Sequence, residues 1–121
     1  MPSIFRPAGA LRLQSLHDYC ASHKLHGVVV SNPLNIRYLT GFQGSSGLLI
    51  CSADSACLVT GGRYDAAVRG SIAAGEMADM DVERVALRYD LTLVEVIRKR
   101  KFARVGFEAG HVTVATLESW R

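Results

Sequence analysis

The chain has 121 residues, 49% hydrophobic and 21% charged, with 14 basic and 11 acidic residues that leave a net charge of +3. That length suits one domain with its own core, and that composition excludes a disordered or low-complexity chain. The mild positive excess does not specify nucleic acid, no apolar run approaches the ~20 residues that span a bilayer, and residues 1–9 lack a secretory apolar core.

In chain order, Pro2 to Pro7 reads as a frayed end. Leu11, Leu13, Leu16, Tyr19 and Cys20, with Leu25 beyond, recur at near-helical spacing, while Arg12, His17, Asp18 and Lys24 fill the other side. This predicts an amphipathic helix of about four turns, ended by Gly27. Val28 to Val30 reads as a strand covered on both faces. Asn32-Pro33 breaks it and starts a short helix, because proline suits a first helical position. Ile36, Tyr38 and Leu39 supply that helix with an apolar side.

Gly41, Gly44 and Gly47 follow at three-residue spacing, with Ser45 and Ser46 between the last pair. A strand over Leu48 to Cys51, a turn at Ala53-Asp54-Ser55 and a returning strand over Cys57 to Thr60 make a hairpin. Gly61-Gly62-Arg63-Tyr64 opens a helix with Tyr64, Ala67 and Val68 on its apolar side, and the stretch from Gly70 to Gly75 ends it. Met80 to Val85 reads as a strand. Asp90-Leu91-Thr92 resembles a helix start, with Leu93, Val94 and Ile97 as the apolar stripe. Phe102 to Phe107 is the fifth strand, and Thr113 caps a last helix carrying Val114, Leu117 and Trp120. Helices alternating with strands, plus one hairpin, predict an α/β fold with a mixed sheet. The chain reaches Arg121 inside an apolar-striped helix with no stop signal, which predicts further chain beyond it.

Several motifs invite a chemical reading. Gly41-x-x-Gly44-x-x-Gly47 has the look of a phosphate loop, but phosphate loops run strand, glycines, helix, so that a helix amino terminus points at the anion. Here the order is helix, glycines, strand, and a tight turn is the better reading. Gly44-Ser45-Ser46-Gly47 misses the G-x-S-x-G elbow by one residue. His17, His23, His26 and His111 make neither HxxxH nor HExxH, so no native metal site is expected. Arg98-Lys99-Arg100-Lys101, with Arg104 close by, has no aromatic within its four consecutive residues and is expected to be a solvated helix end, where positive charge favours the dipole by ~0.3–1 kcal/mol. Glu108 has no partner carboxylate in sequence and is expected to hydrogen-bond nearby backbone. Cys20, Cys51 and Cys57 are odd in number and lack CxxC spacing, which predicts buried thiols in a reducing compartment, the cytoplasm by default.

The runs NPLNIRYLTGFQGSSGLLI and LVTGGRYDAA, followed by Val105-Gly106-Phe107-Glu108, resemble the amino-terminal domain shared by Xaa-Pro aminopeptidases (aminopeptidase P), prolidases and creatinases. The ordered set covers roughly residues 10 to 121. One departure is Gly61, where many relatives carry an acidic residue.

The resemblance implies a three-layer, ribonuclease H-like α/β domain with a mixed five- to six-stranded sheet, occupying residues 1–121 as a single domain. It implies a separate carboxy-terminal "pita-bread" domain holding two divalent metal ions, manganese or cobalt, with no cofactor and no catalytic residue in this chain. Gln43, Ser45 and Ser46 would contribute to the substrate pocket of a neighbouring subunit. Tyr38, Gly41, Phe42, Arg63, Tyr64 and Trp120 would be interface or structural residues. For Arg63, Tyr64 and Arg37 the plain alternative is packing and solvation at helix surfaces. Trp120, at the end of the chain, is expected to mark a broken contact with the next domain.

The implied partners are the chain's own catalytic domain, a second copy in a homodimer, and short proline-containing peptides, with neither nucleic acid nor membrane. A creatinase-type amidinohydrolase is the alternative within the family. Its loop would offer an aromatic and an arginine to substrate, and Gln43 to Ser46 offers neither. A free-standing interaction module is the alternative outside it.

Overall fold

The computed structural model describes residues 6–44 and 46–120. Ten elements follow in order: α1 (Arg6–Ser22), β1 (Gly27–Val30), α2 (Pro33–Thr40), β2 (Leu48–Cys51), β3 (Ala56–Gly61), α3 (Gly62–Ala73), β4 (Asp81–Val85), α4 (Tyr89–Lys99), β5 (Val105–Phe107) and α5 (Val114–Ser119). The strands form one mixed sheet in the order β4-β3-β2-β1-β5. The β1–β2 and β2–β3 pairs are antiparallel, and the β3–β4 and β1–β5 pairs at the edges are parallel. This is an α/β architecture with helices on both faces of the sheet.

Both faces of the central strands are covered, which is why they read as unbroken apolar runs. Successive side chains point to opposite faces. Val30, Leu49, Cys51 and Leu58 therefore join one core cluster with Leu13, Ile36, Phe42 and Val68 from α1, the α2 region and α3. Val29, Leu48, Ile50, Cys57 and Val59 join the other, with Leu93 and Val96 of α4. Full burial of each such side chain contributes ~1.5–3 kcal/mol, so the sandwich rests mainly on these strands.

Several local expectations are corrected. The helix α1 already includes Arg6 and Pro7, while residues 1–5 of the expected frayed end lie outside the described residues. Its buried stripe is Leu13, Leu16 and Cys20 with His17 beside them; Leu11 is 72% exposed and Tyr19 faces solvent. Gly27 does not end α1. Lys24 takes the left-handed position at φ 55°, and the Leu25 N–H donates to the Cys20 carbonyl at 2.9 Å while the Lys24 N–H donates to Ala21, a Schellman closure without glycine. Gly27 instead starts β1, where a Cβ would stand 3.0 Å from the Phe102 ring.

Tyr38 is not on the buried side of α2 but 57% exposed; Thr40 is buried there instead. The helix α3 runs through Gly70 to Ala73, and Gly75 takes φ 78° just beyond it. The fifth strand is shorter than expected, and Phe102 lies before it, packed on the second core cluster.

Candidate functional site

The glycine loop is built by the helix before it and the packing beneath it. Asn32 caps α2, its side chain accepting the Leu34 N–H at 3.0 Å, and Pro33 sits at the first turn. Gly41 ends α2 at φ 85°, where a side chain would be strained, and its N–H reaches the Arg37 carbonyl at 2.8 Å. The buried Thr40 hydroxyl donates to the Ile36 carbonyl at 2.7 Å and accepts the Phe42 N–H at 3.1 Å. Phe42 is thereby driven inward, edge-on to Tyr64 with ring centroids 5.7 Å apart.

Gly44 and Gly47 lie on that Phe42 ring. A Cβ at Gly44 would overlap it, and one at Gly47 would touch it at 3.0 Å. The glycines thus allow close packing and a tight turn. Gln43 and Ser46 are left exposed at the loop's tip; Ser45 lies outside the described residues. The Ser46 carbonyl accepts from the Thr60 hydroxyl at 3.2 Å and the Tyr89 hydroxyl at 3.4 Å, which ties the tip to β3 and α4.

The remaining expected residues do not share one site, since Tyr64 packs on the core cluster of Phe42 and Trp120 on the other. Arg63 is exposed with its guanidinium 5.3 Å from the centroid of the half-buried Tyr64 ring. Arg37 is exposed on α2. Trp120 is half-buried against the second core cluster, while Val114 at the head of α5 is 77% exposed. A cleft of about 550 Å3 opens beside the loop, lined by Gln43, Gly44, Tyr64, Glu76 and Met77 among others.

Glu108, after β5, receives donors from the start of α2. Its Oε1 accepts from the Ser31 N–H at 2.5 Å, the Asn32 N–H at 2.9 Å and the Ser31 hydroxyl at 3.2 Å. Its Oε2 accepts from the Asn35 amide at 2.5 Å. Partial burial pushes this carboxyl up, but the hydrogen bonds from Asn35, Asn32 and Ser31 outweigh it and hold Glu108 below the usual carboxylate range. It braces the helix that carries the loop.

Among the described residues no group of three or more His, Cys, Asp or Glu could hold a metal ion. Three of the histidines have other contacts. The half-buried His17 Nδ1 lies 2.5 Å from the Ser52 carbonyl and 3.2 Å from Cys51 Sγ. The His23 ring stacks on Tyr19 at 3.9 Å between centroids. His26 Nδ1 accepts the N–H groups of Ala103 and Arg104, each at 2.9 Å. The three cysteines are free and buried. Burial, then the neighbouring Cys20, pushes Cys51 up to about 12, and burial pushes Cys57 up to about 11. Such thiols stay protonated and act as packing groups.

The basic run lies at the carboxy end of α4, where Lys99 pairs with Glu95 at 3.2 Å and Arg100 pairs with Asp81 at 2.8 Å. Sequence reasoning missed Arg12, whose guanidinium lies 4.3 Å from the Tyr38 ring centroid and donates to the Tyr38 carbonyl at 3.3 Å. It also missed Glu76. Neither carried a motif, since their neighbours are distant in the chain.

A five-stranded mixed sheet with a pinned helix–glycine–strand junction defines an α/β domain with helices on both faces of the sheet. The family model described as the creatinase/prolidase N-terminal domain matches residues 12–121, and the chain belongs to that family. It is 26% identical over 110 residues to the uncharacterized peptidase YqhT of Bacillus subtilis (strain 168), covering 91% of this chain and 30% of that protein. The N-terminal domain of the cytoplasmic peptidase PepQ from Mycobacterium tuberculosis H37Rv superposes with a TM-score of 0.76 at 30% identity, over 91% of this chain and 82% of that one. The Xaa-Pro dipeptidase of Bacillus anthracis shares the fold at a TM-score of 0.81 and 16% identity, over 93% of this chain and 30% of that one. The chain therefore spans about a third of the length of the full relatives it matches.

Proposed function

We propose that residues 1–121 are the single, non-catalytic amino-terminal domain of a cytoplasmic Xaa-Pro metallopeptidase of the aminopeptidase P or prolidase type. In this reading the domain supports a following pita-bread domain, forms a homodimer, and lends the Gln43–Ser46 tip to the substrate pocket of the neighbouring subunit. The chemistry of hydrolysis, water activated by a pair of divalent ions such as manganese or cobalt, would belong to the following domain. The residues of this chain shape the entrance for short proline-containing peptides.

The observation that carries the reading is the loop's construction: exposed Gln43 and Ser46 stand on a base fixed by Thr40, Gly41 and the buried Phe42. A rigid base with polar groups at its tip suits a wall that must be held in place. The test is kinetic, in the full-length dimer. Gln43→Ala with Ser46→Ala should raise KM for an Xaa-Pro peptide several-fold with kcat little changed, as expected for lost uniform binding. An unchanged KM would remove the pocket role.

A further inference from the structure

Among the described residues, two that are not glycine take a positive φ, and both are lysines: Lys24 at 55° and Lys101 at 58°. Their turns have the same construction. After α4 the Phe102 N–H donates to the Ile97 carbonyl and the Lys101 N–H to the Arg98 carbonyl, each at 3.1 Å. This repeats at Lys101 the Schellman closure that Lys24 makes after α1. The closure uses backbone alone, and glycine takes that position without the steric cost that lysine bears. What lysine adds at both places is an exposed cation.

The sheet sets the two turns side by side. They lead into β1 and β5, which pair in parallel from Gly27 opposite Val105. His26 Nδ1 accepts the N–H groups of Ala103 and Arg104 at 2.9 Å, and the Arg104 carbonyl accepts the His26 N–H at 2.8 Å. Lys24 stands two residues before His26 and Lys101 two before Ala103, and two residues reach at most ~7 Å. Arg98 and Arg104 flank Lys101. All four cations are exposed, and among the described residues none of them forms an ion pair, whereas Lys99 and Arg100 of the same run are neutralised.

Next to Lys24 lies a flat aromatic surface. The His23 ring stacks on Tyr19 at 21° from parallel, and its Nδ1 lies 3.1 Å from both the Tyr19 carbonyl and the Ser22 hydroxyl, which fixes the pair to the end of α1. Tyr19 is 49% exposed. Its neighbour Asp18 is engaged by the Gln14 amide at 2.9 Å, one turn back along the helix. Cations along a rim, beside an exposed aromatic pair, suit a phosphate backbone whose bases stack on the rings. A lipid surface would take exposed aliphatic side chains, and the exposed Leu11, Leu34, Leu87, Leu91 and Val114 all lie outside these turns.

We infer that this rim binds single-stranded nucleic acid, with phosphates on Lys24, Arg98, Lys101 and Arg104 and a base on the Tyr19–His23 stack. Read from sequence, the basic run belongs to solvent, because Tyr19 and His23 are remote from it in the chain. The rim shares no residue with the glycine loop, so failure here leaves the role of Gln43 and Ser46 untouched.

The test is fluorescence anisotropy of a labelled ~20-nucleotide oligo(dT) titrated with the 121-residue chain. Saturable binding is expected, and four phosphate contacts predict a ~50-fold loss of affinity from ~50 to ~200 mM salt. Lys24→Gly with Lys101→Gly should weaken binding and halve the logarithmic salt slope, yet raise the melting temperature, because glycine suits both turns. Tyr19→Ala should weaken binding about tenfold and Tyr19→Phe should retain it. No saturation by ~1 mM protein in low salt overturns the site, as does binding that the lysine pair or Tyr19→Ala leaves intact. Equal affinity for polyglutamate would overturn it in favour of an acidic protein segment. Equal retention on vesicles of phosphatidylserine and phosphatidylcholine would do so in favour of a membrane.

Discussion

The Glu108 carboxylate receives the Asn35 side-chain amide at 2.5 Å, joining the end of the last strand to the helix that carries the glycine loop, 73 residues earlier in the chain. The same carboxylate takes the N–H groups of Ser31 and Asn32, so one side chain closes the junction between β1 and α2. The loop's position therefore depends on the far end of the chain.

Glu108→Ala should cost about 2 kcal/mol, because three partly buried donors lose their acceptor. The pH dependence follows from the depressed carboxyl. Its folded-state value lies below its unfolded one, so its stabilisation is complete above the ordinary carboxylate range and disappears as pH falls through the folded value. Urea midpoints at pH 7 and pH 3 check this. The gap between wild type and Glu108→Gln should narrow in acid, and a constant gap would show that the charge is irrelevant.

Gly61 caps α3 in an extended conformation, φ −72° and ψ 159°, with no side-chain hydrogen bond. Any residue adopts that backbone, and a Cβ there would meet the Tyr89 hydroxyl at an ordinary 3.5 Å. The Arg84 guanidinium lies against Gly62, at the positive end of the helix. Gly61→Asp should stabilise the domain by about 0.3–1 kcal/mol, by capping α3 and by placing a carboxylate at the positive end of that helix. A lowered urea midpoint would contradict this.

Gly44→Ala should destabilise by ~1–3 kcal/mol, because the new methyl overlaps the buried Phe42 ring. Ser46→Ala should be neutral, since Ser46 is exposed and it is its carbonyl that is used. Thermal melts of the two variants side by side separate packing from loop polarity.

His26→Ala should cost ~1–2 kcal/mol, for it strips the Nδ1 acceptor from the Ala103 and Arg104 N–H groups. In His26→Asn a side-chain oxygen stands near the position of Nδ1 and should recover much of that loss. If both variants melt alike, the two bonds contribute nothing to stability.

Cys51, pushed up to about 12, should resist alkylation in the folded domain at pH 8, where only ~1 in 10,000 of its thiols would be ionised. Iodoacetamide labelling followed by mass spectrometry, in native buffer and in urea, checks this. Rapid native labelling would mean that β2 opens readily.

Local chemistry was legible without coordinates. Asn32-Pro33 as a helix start, the hairpin across Ala53 to Ser55 and Thr113 as a cap depend on bonds made within a few residues. The apolar run of β1 likewise announced a strand buried on both faces, and the alternation of helices with strands announced the α/β class. Amphipathic faces were harder. The apolar spacing of Leu11 and Tyr19 matched the core stripe of α1, yet the direction from which the sheet approaches leaves both in solvent and turns the half-buried His17 toward Ser52.

What the amino-acid sequence determined on its own was the order of elements and the mixed sheet, because these rest on periodicity, caps and turns read over short spans, while the family was marked by the resemblance of its motif runs. Tertiary structure alone decided that Glu108 braces α2, that Lys24 rather than Gly27 closes α1, and that the turns of Lys24 and Lys101 lie side by side. Each of those results joins groups brought together by sheet order and helix docking, and such proximity leaves no trace in local spacing.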